Sequence, residues 1–378
     1  MDSKIIVIQP TSLCNFNCSY CYLPGREQRD VMTFETLDKI FKIAFHSIEN
    51  DGFLHFNWHS GEPLLMKINF YETALTMIKK YNKYNISYMN SIQTNGALIN
   101  EKWCDFFKRN NFNICVSIDG PSFLHDANRR TWSNRPTHVI SLKGLKLLND
   151  FAISHSILAV LTRESLKYPV EMYNFLIENN INSIGFNLEE ISGSNLSSSI
   201  DLLSAKEDIA QLYTNFINTF FDLWKKDDCK IQVREFRDIL NFLNEKKKNN
   251  NYIINKYEQN GLSIISILKN GDISTFSPEM ANGDAEDTKK FIIGNIHSIT
   301  HFSDLLNSES YLNISKAVKS GQEKCRAECA YFDICGGGYP AIKYYEHGKF
   351  DCTETTNCVL TVQSFTDILL EKLTKDSL

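Results

Sequence analysis

Cys14, Cys18 and Cys21 fall within the segment CNFNCSYCYL (14–23), and three thiols at that spacing can hold a metal centre. Structural zinc wants four ligands in a closed tetrahedron, and no further Cys or His lies within short reach to complete the set. Three thiolates can instead hold three irons of a [4Fe-4S] cluster. The fourth iron is then open to the nitrogen and oxygen atoms of a substrate or cosubstrate. On that reading the missing fourth cysteine is the functional feature.

A second group lies near the other end of the chain, where Cys325, Cys329, Cys335, Cys352 and Cys358 occur in the pattern C-x3-C-x5-C followed by GGGYPAIKYYEHGKFDCTETTNC. The remaining three of the eleven cysteines, Cys104, Cys115 and Cys229, are scattered and read as small buried hydrophobes. Disulfides are not the expected use for any of them. MDSKIIVIQP has too short an apolar run for a signal peptide and no apolar stretch reaches membrane-spanning length, so a soluble cytoplasmic protein is expected, in a reducing compartment.

These residues need a frame. From residue 5 to about 190 the chain alternates short apolar runs with helix-length amphipathic segments, the pattern of repeated βα units around a parallel sheet. Six strands are predicted, at 5–9, 54–58, 87–93, 113–118, 154–161 and 183–188. Helices are predicted at 34–48, with Thr33 as N-cap, and at 68–83, 101–109, 137–149 and 169–179. Every strand ends in polar or glycine-rich residues: the cysteine loop, HSGEP, QTNG, DGP, LTRE and EE in turn. The carboxyl ends of parallel barrel strands open onto one face, so these loops converge on the cysteines. A long helix follows at 203–226, then a solvated KKKNNN loop at 246–251. Next come a hairpin over 261–279 turning at Asn270-Gly271 and a closing helix at 359–373. The expected division is a barrel at 1–200, a helical bridge at 201–260 and an auxiliary domain at 261–378.

A net charge of −5 over 378 residues gives no electrostatic reason to bind nucleic acid or an acidic membrane surface. Neither partner is expected.

C-x3-C-x2-C with Tyr20 before the third cysteine, on the loop after the first strand of a partial barrel, resembles the radical S-adenosylmethionine (SAM) enzymes. The resemblance implies an α/β fold, a partial (β/α)6 TIM-like barrel of radical SAM type. It also implies SAM chelated by the open iron and cleaved to a 5′-deoxyadenosyl radical. Ser60, Gly61, Glu62 and Pro63 resemble the family's GGEP motif for the methionyl amino group, with serine in place of the first glycine. Gln93-Thr94-Asn95-Gly96 and Ser117-Ile118-Asp119-Gly120 match its ribose and carboxylate contact regions. Tyr20, Thr94, Asn95 and Ser117 are thus implied cofactor contacts beside the metal ligands Cys14, Cys18 and Cys21.

The C-terminal pattern resembles the SPASM iron-sulfur domain of radical SAM enzymes that modify peptides. Motif matching implies one auxiliary [4Fe-4S] cluster on Cys325, Cys329, Cys335 and Cys358. Cys352 is then a spare, and Tyr339 stands where a second auxiliary cluster would want a cysteine. Zinc is a chemical alternative at the same four thiolates. CGGGYPAIKYYEHGKFDCTET, TFSPE and GFNLEE together resemble the cyclophane-forming maturases of ribosomal peptides, of the Xye and Grr type that make darobactin-like crosslinks.

That resemblance implies abstraction of a Cβ hydrogen from a precursor peptide and bonding of that carbon to a nearby aromatic ring. Rearomatisation needs a base. Glu279 is the candidate, with Asp119 and Glu189 or Glu190 as alternatives. A sulfatase-maturase-like dehydrogenase that makes formylglycine is the alternative enzyme, and a zinc-stabilised peptide-binding protein the alternative outside catalysis. The implied partners are a precursor peptide with its leader and an electron donor such as flavodoxin or ferredoxin. With the first cysteine at residue 14, the leader is expected to dock on the barrel or SPASM surface by strand addition, or to be held by a separate protein.

Overall fold

A computed structural model describes residues 3–281 and 286–375; the termini of the expected first and last domains, 1–2 and 376–378, lie outside these. Six parallel strands, β1 (Ser3–Ile8), β2 (Phe53–Trp58), β3 (Ser87–Thr94), β4 (Phe112–Ser117), β5 (His155–Leu161) and β6 (Ser183–Leu188), pair in sequence order. Between them run α1 (Phe34–His46), α2 (Lys67–Tyr81), α3 (Glu101–Asn110), α4 (Ser122–Asn128), α5 (His138–Asp150) and α6 (Pro169–Glu178). This is an α/β fold with the strand order expected of a partial (β/α)6 barrel. Strand β2 alternates: Leu54, Phe56 and Trp58 are fully buried between sheet and helices, each side chain contributing about 1.5–3 kcal/mol of hydrophobic stabilisation. Caps start two of the helices, Thr33 accepting from Thr36 N and Asn100 from Trp103 N.

The helix α4 is an addition to the six expected βα units; it follows the DGP turn and is too short to show a helical period. After β6 come α7 (Leu202–Lys226), a two-residue strand β7 (Gln232–Val233) and α8 (Arg234–Lys248). The expected solvated loop over 246–251 is therefore half helix. Its lysines occupy the last turn of α8, where cations face the carbonyl end, and Lys246 pairs with Asp333 at 2.6 Å.

The hairpin is formed by β8 (Ile264–Ile267) and β9 (Asp272–Thr275), with Gly271 in the left-handed region at the turn. It does not make a separate layer. β8 pairs in parallel with β1, and β10 (Gly294–Asn295) completes one mixed sheet of order β10-β9-β8-β1-β2-β3-β4-β5-β6-β7. The cysteine loop, between β1 and α1, is thus flanked by β2 on one side and by the hairpin on the other. The C-terminal part is helical and consistent with a SPASM-like architecture. Among the described residues no helix is long and apolar enough to cross a membrane.

Candidate active site

The cysteine loop is held from outside. Cys14 N donates to Arg26 O at 2.9 Å, Asn17 N to Arg130 O at 2.6 Å, Ser19 N to Asn128 O at 2.9 Å, and Trp132 Nε1 to Cys14 O at 2.9 Å. The end of α4 and the turn after it therefore clamp the loop, and the three thiols lie within electrostatic reach of one another. Burial pushes the Cys18 thiol up to about 11 against the opposing Arg129 charge, and pushes Cys14 higher still with help from Glu62. Buried thiols that local cations do not ionise form thiolates when a metal supplies the positive charge, so the donor set fits an iron-sulfur cluster. Among the described residues no group of three or more His, Cys, Asp or Glu is arranged to hold a single metal ion.

The loop after β2 closes against this one. Ser60 and Gly61 both have positive φ, 82° and 56°, and a Cβ on Gly61 would lie 2.4 Å from Leu13 O; only glycine permits that approach. Glu62 N donates to Leu13 O at 2.8 Å. The Glu62 side chain, fully buried, is largely committed within the protein: Oε1 accepts from Leu64 N at 3.0 Å and Thr94 Oγ1 at 2.7 Å, and Oε2 from Asn95 N at 2.8 Å. Burial raises its carboxyl to about 6 against those hydrogen bonds. Pro63 opens the turn that follows, and its carbonyl accepts from Tyr71 Oη at 2.8 Å. Asn95 Nδ2 donates to Asn15 Oδ1 at 2.8 Å, close to the Cys14 sulfur. Ser117 Oγ accepts from Gln93 Nε2 at 2.7 Å.

Asp119 is not placed to act as a base. Arg129 holds it bidentately, and it also accepts from Val160 N at 3.0 Å and from the Tyr20 hydroxyl. Burial would raise its carboxyl, but the Arg129 charge and these hydrogen bonds win and hold it below the usual carboxylate range. With its lone pairs taken and its proton affinity lowered, it is the anchor of the α4 clamp, and Tyr20 is tied to it.

Glu190, at the end of β6, lies within electrostatic reach of Glu279 and Glu346. Burial first, then the charges of those two, push its carboxyl up to about 8 although Asn357 Nδ2 donates to it at 2.8 Å. Burial raises Glu279 and Glu346 as well. Carboxylates this close titrate in linked steps. Tyr22, the residue after Cys21, feels the Glu279 charge through its buried hydroxyl, which lies 3.4 Å from Nδ1 of His59. Burial lowers His59 to about 4, so that ring is neutral. Glu189, by contrast, caps Ser199.

Cys325 lies on α9 (Glu309–Glu328), Cys329 caps its end, Cys335 ends the short α10 (Phe332–Cys335), and Cys358 ends α12 (Thr356–Cys358); the three glycines and α11 (Pro340–His347) lie between the last two. Cys325, Cys329, Cys335 and Cys358 line one cavity. Gly336, Gly337 and Gly338 all have positive φ, and Gly338 N donates to Cys335 Sγ at 3.2 Å. Donors aimed at sulfur are what cluster thiolates require. Cys352 is outside the lining of that cavity. Tyr339 instead accepts from Lys256 Nζ at 3.1 Å.

Residues 8–176 match the radical SAM superfamily. The chain is 35% identical over 375 residues to the uncharacterized protein sll1766 of Synechocystis sp., covering 98% of this chain and 92% of that one. It is 30% identical over 352 residues to the cysteine-type anaerobic sulfatase-maturating enzyme of Clostridium novyi, covering 89% and 88%. The chain belongs to the radical SAM superfamily. Its fold matches that of native anSMEcpe with bound AdoMet and Cp18Cys peptide at a TM-score of 0.79, with 22% identity over 99% of this chain and 98% of the other.

As a radical SAM enzyme it uses SAM and iron-sulfur clusters. The structure brings Cys14, Cys18, Cys21, Ser60, Gly61, Glu62, Thr94 and Asn95 into one constellation at the carboxyl ends of β1 to β3, with Tyr20 and Asp119 behind the cysteine loop. It puts Glu279 with Glu190, a residue the sequence offered only as an alternative. Glu346 and Arg129 carry no motif of their own and escaped the sequence reading. A buried charge without a neighbour in sequence to pair with is visible only once the fold assembles its partner.

Proposed function

We propose that this radical SAM enzyme modifies a ribosomally made precursor peptide, breaking a Cβ–H bond and joining that carbon to the aromatic ring of a nearby residue. SAM at the open iron of the three-cysteine cluster and one auxiliary cluster, when bound, supply a hydrogen-atom acceptor and a one-electron acceptor. The peptide gives up one hydrogen atom, one proton and one electron in total; a Cβ–H and a ring C–H break as one carbon-carbon bond forms. The protein must take the proton.

The observation that carries this reading is the position of Glu279, Glu190 and Glu346. Glu279 acts on Tyr22, which follows Cys21; Glu190 accepts from Asn357, which precedes Cys358, and feels the charges of Glu279 and Glu346. This coupling of the acidic group to a neighbour of each thiol set supports a proton acceptor that serves both. Glu279 is the base, with its proton affinity raised by burial, and Glu190 shares the charge of the group. Cys14, Cys18 and Cys21 hold the radical cluster; Cys325, Cys329, Cys335 and Cys358 hold the auxiliary one. The reductant is a flavodoxin or ferredoxin.

The identity to the sulfatase-maturating enzyme of Clostridium novyi favours a second reading, oxidation of a single Cys or Ser side chain to an aldehyde, which removes the same hydrogen atom, proton and electron. Anaerobic incubation with peptides carrying an aromatic-x-x motif, and with a sulfatase-derived peptide, separates the two. A product short of two hydrogens that is inert to hydrazide reagents and fragments as a ring supports the crosslink. A hydrazide-reactive product from the sulfatase peptide alone overturns it.

A further inference from the structure

Lys343, in α11, is only 4% exposed. Its Nζ lies 3.3 Å from Cys325 Sγ and 3.4 Å from Gly321 O. Among the described residues lining the four-cysteine cavity it is the only Lys, Arg, Asp or Glu. The backbone is shaped to admit it: Gly338, at φ 78°, would place a Cβ 3.1 Å from Lys343 Cε. An ammonium group taken out of water is strongly disfavoured unless it is paired, and no carboxylate lines this cavity. Its compensating charge must come from the thiolates.

We infer that Lys343 sets the reduction potential of the auxiliary cluster, raising it so that the cluster takes up one electron with no accompanying proton. Reduction adds one negative charge to the centre. A fixed cation beside one ligand sulfur favours the reduced form over the oxidised one, and a hydrogen bond to that sulfur acts in the same sense. Both effects are strengthened by the low local dielectric. The consequence is directional: with Lys343 beside it the auxiliary centre is a better electron acceptor than the same four thiolates would be without it, which suits it to receive the electron left when product forms. Lys343 is a positioning and tuning residue that acts through the Cys325 sulfur. The inference rests on the assignment of Cys325, Cys329, Cys335 and Cys358 as cluster ligands.

The test uses the full chain with Cys14→Ala, Cys18→Ala and Cys21→Ala, so that only the auxiliary centre is loaded. Its midpoint is read by electron paramagnetic resonance during titration with dithionite, in that background and with Lys343→Met or Lys343→Arg added. The expected result is a lower midpoint in Lys343→Met and a midpoint close to that of the parent in Lys343→Arg, at equal iron content. An unshifted midpoint in a fully loaded Lys343→Met protein overturns the role of Lys343. Should Lys343→Met not retain iron, Lys343→Gln is read in its place by the same criterion. A triple-alanine background that binds no iron overturns the cluster assignment itself, and the two failures are distinguished by iron content.

Discussion

Arg129 holds Asp119 through two N–H···O bonds of 2.9 Å, Nε to Oδ2 and Nη2 to Oδ1, with its guanidinium 5.5 Å from the centre of the Tyr20 ring. Both side chains are buried, and the pair ties the end of β4 to the turn that clamps the cysteine loop. Its role is architectural, and it accounts for a carboxylate in the active-site wall that takes no proton.

Arg129→Met should therefore unfold more readily, by about 3–5 kcal/mol, because it leaves the Asp119 charge buried and unpaired. The sign with pH follows from the lowered carboxyl. The pair's contribution is complete above the ordinary carboxylate value of about 3.9 and fades only as pH falls through the lower folded value. The wild-type pair therefore contributes the same at pH 6 and pH 8, whereas burial alone raises the Asp119 carboxyl in the variant, so the loss measured by urea denaturation should be larger at pH 8 than at a pH low enough to protonate it.

Glu190 has the opposite sign. Its carboxyl is raised to about 8, so the folded protein binds that proton more tightly than the unfolded chain does. Stability should fall as pH rises from about 4.3 towards 8 and level off above it. Glu190→Gln removes that slope. It should gain more than about 1 kcal/mol over the wild type at pH 8.5 relative to pH 5; parallel pH profiles would contradict the assignment.

The loop after β2 offers a paired test. Ser60 occupies a left-handed conformation, so Ser60→Gly should stabilise the chain by up to about 1 kcal/mol once the greater freedom of glycine in the unfolded state is counted. Gly61→Ala drives a methyl group into the Leu13 carbonyl, next to Cys14. It should lose iron from the N-terminal site while keeping that of the C-terminal one.

Glu279→Gln should separate the two halves of the reaction. 5′-Deoxyadenosine should still form from SAM, while crosslinked peptide falls by about 10²–10⁴, the usual worth of a positioned base. Equal loss of both products would place Glu279 in SAM binding instead.

The six strands of the barrel and the loops that end them were legible because burial on one face writes period two into a strand and turn residues punctuate it. The three-cysteine loop was legible because its ligands are local. What could not be read was long-range. The parallel pairing of Ile5–Ile8 with Ile264–Ile267 joins strands from opposite ends of the chain, and each alone looks like an ordinary hairpin or barrel strand. Asp119 looked like a free acid because its partner Arg129 follows α4, which has too few turns to reveal a period. Lys343 and Glu346 lie in an amphipathic helix whose polar residues read as solvated. Only the folded C-terminal part turns one of them onto sulfur and the other towards Glu190.

The central claim is two clusters on two thiol sets, and anaerobic reconstitution with iron and sulfide tests it most directly. Iron would be counted, and 5′-deoxyadenosine from SAM and dithionite assayed, in the wild type and in the Cys14→Ala, Cys18→Ala, Cys21→Ala variant. About eight irons are expected, falling to about four in the variant with loss of 5′-deoxyadenosine. A wild type that binds zinc in place of iron and makes no 5′-deoxyadenosine would contradict the account.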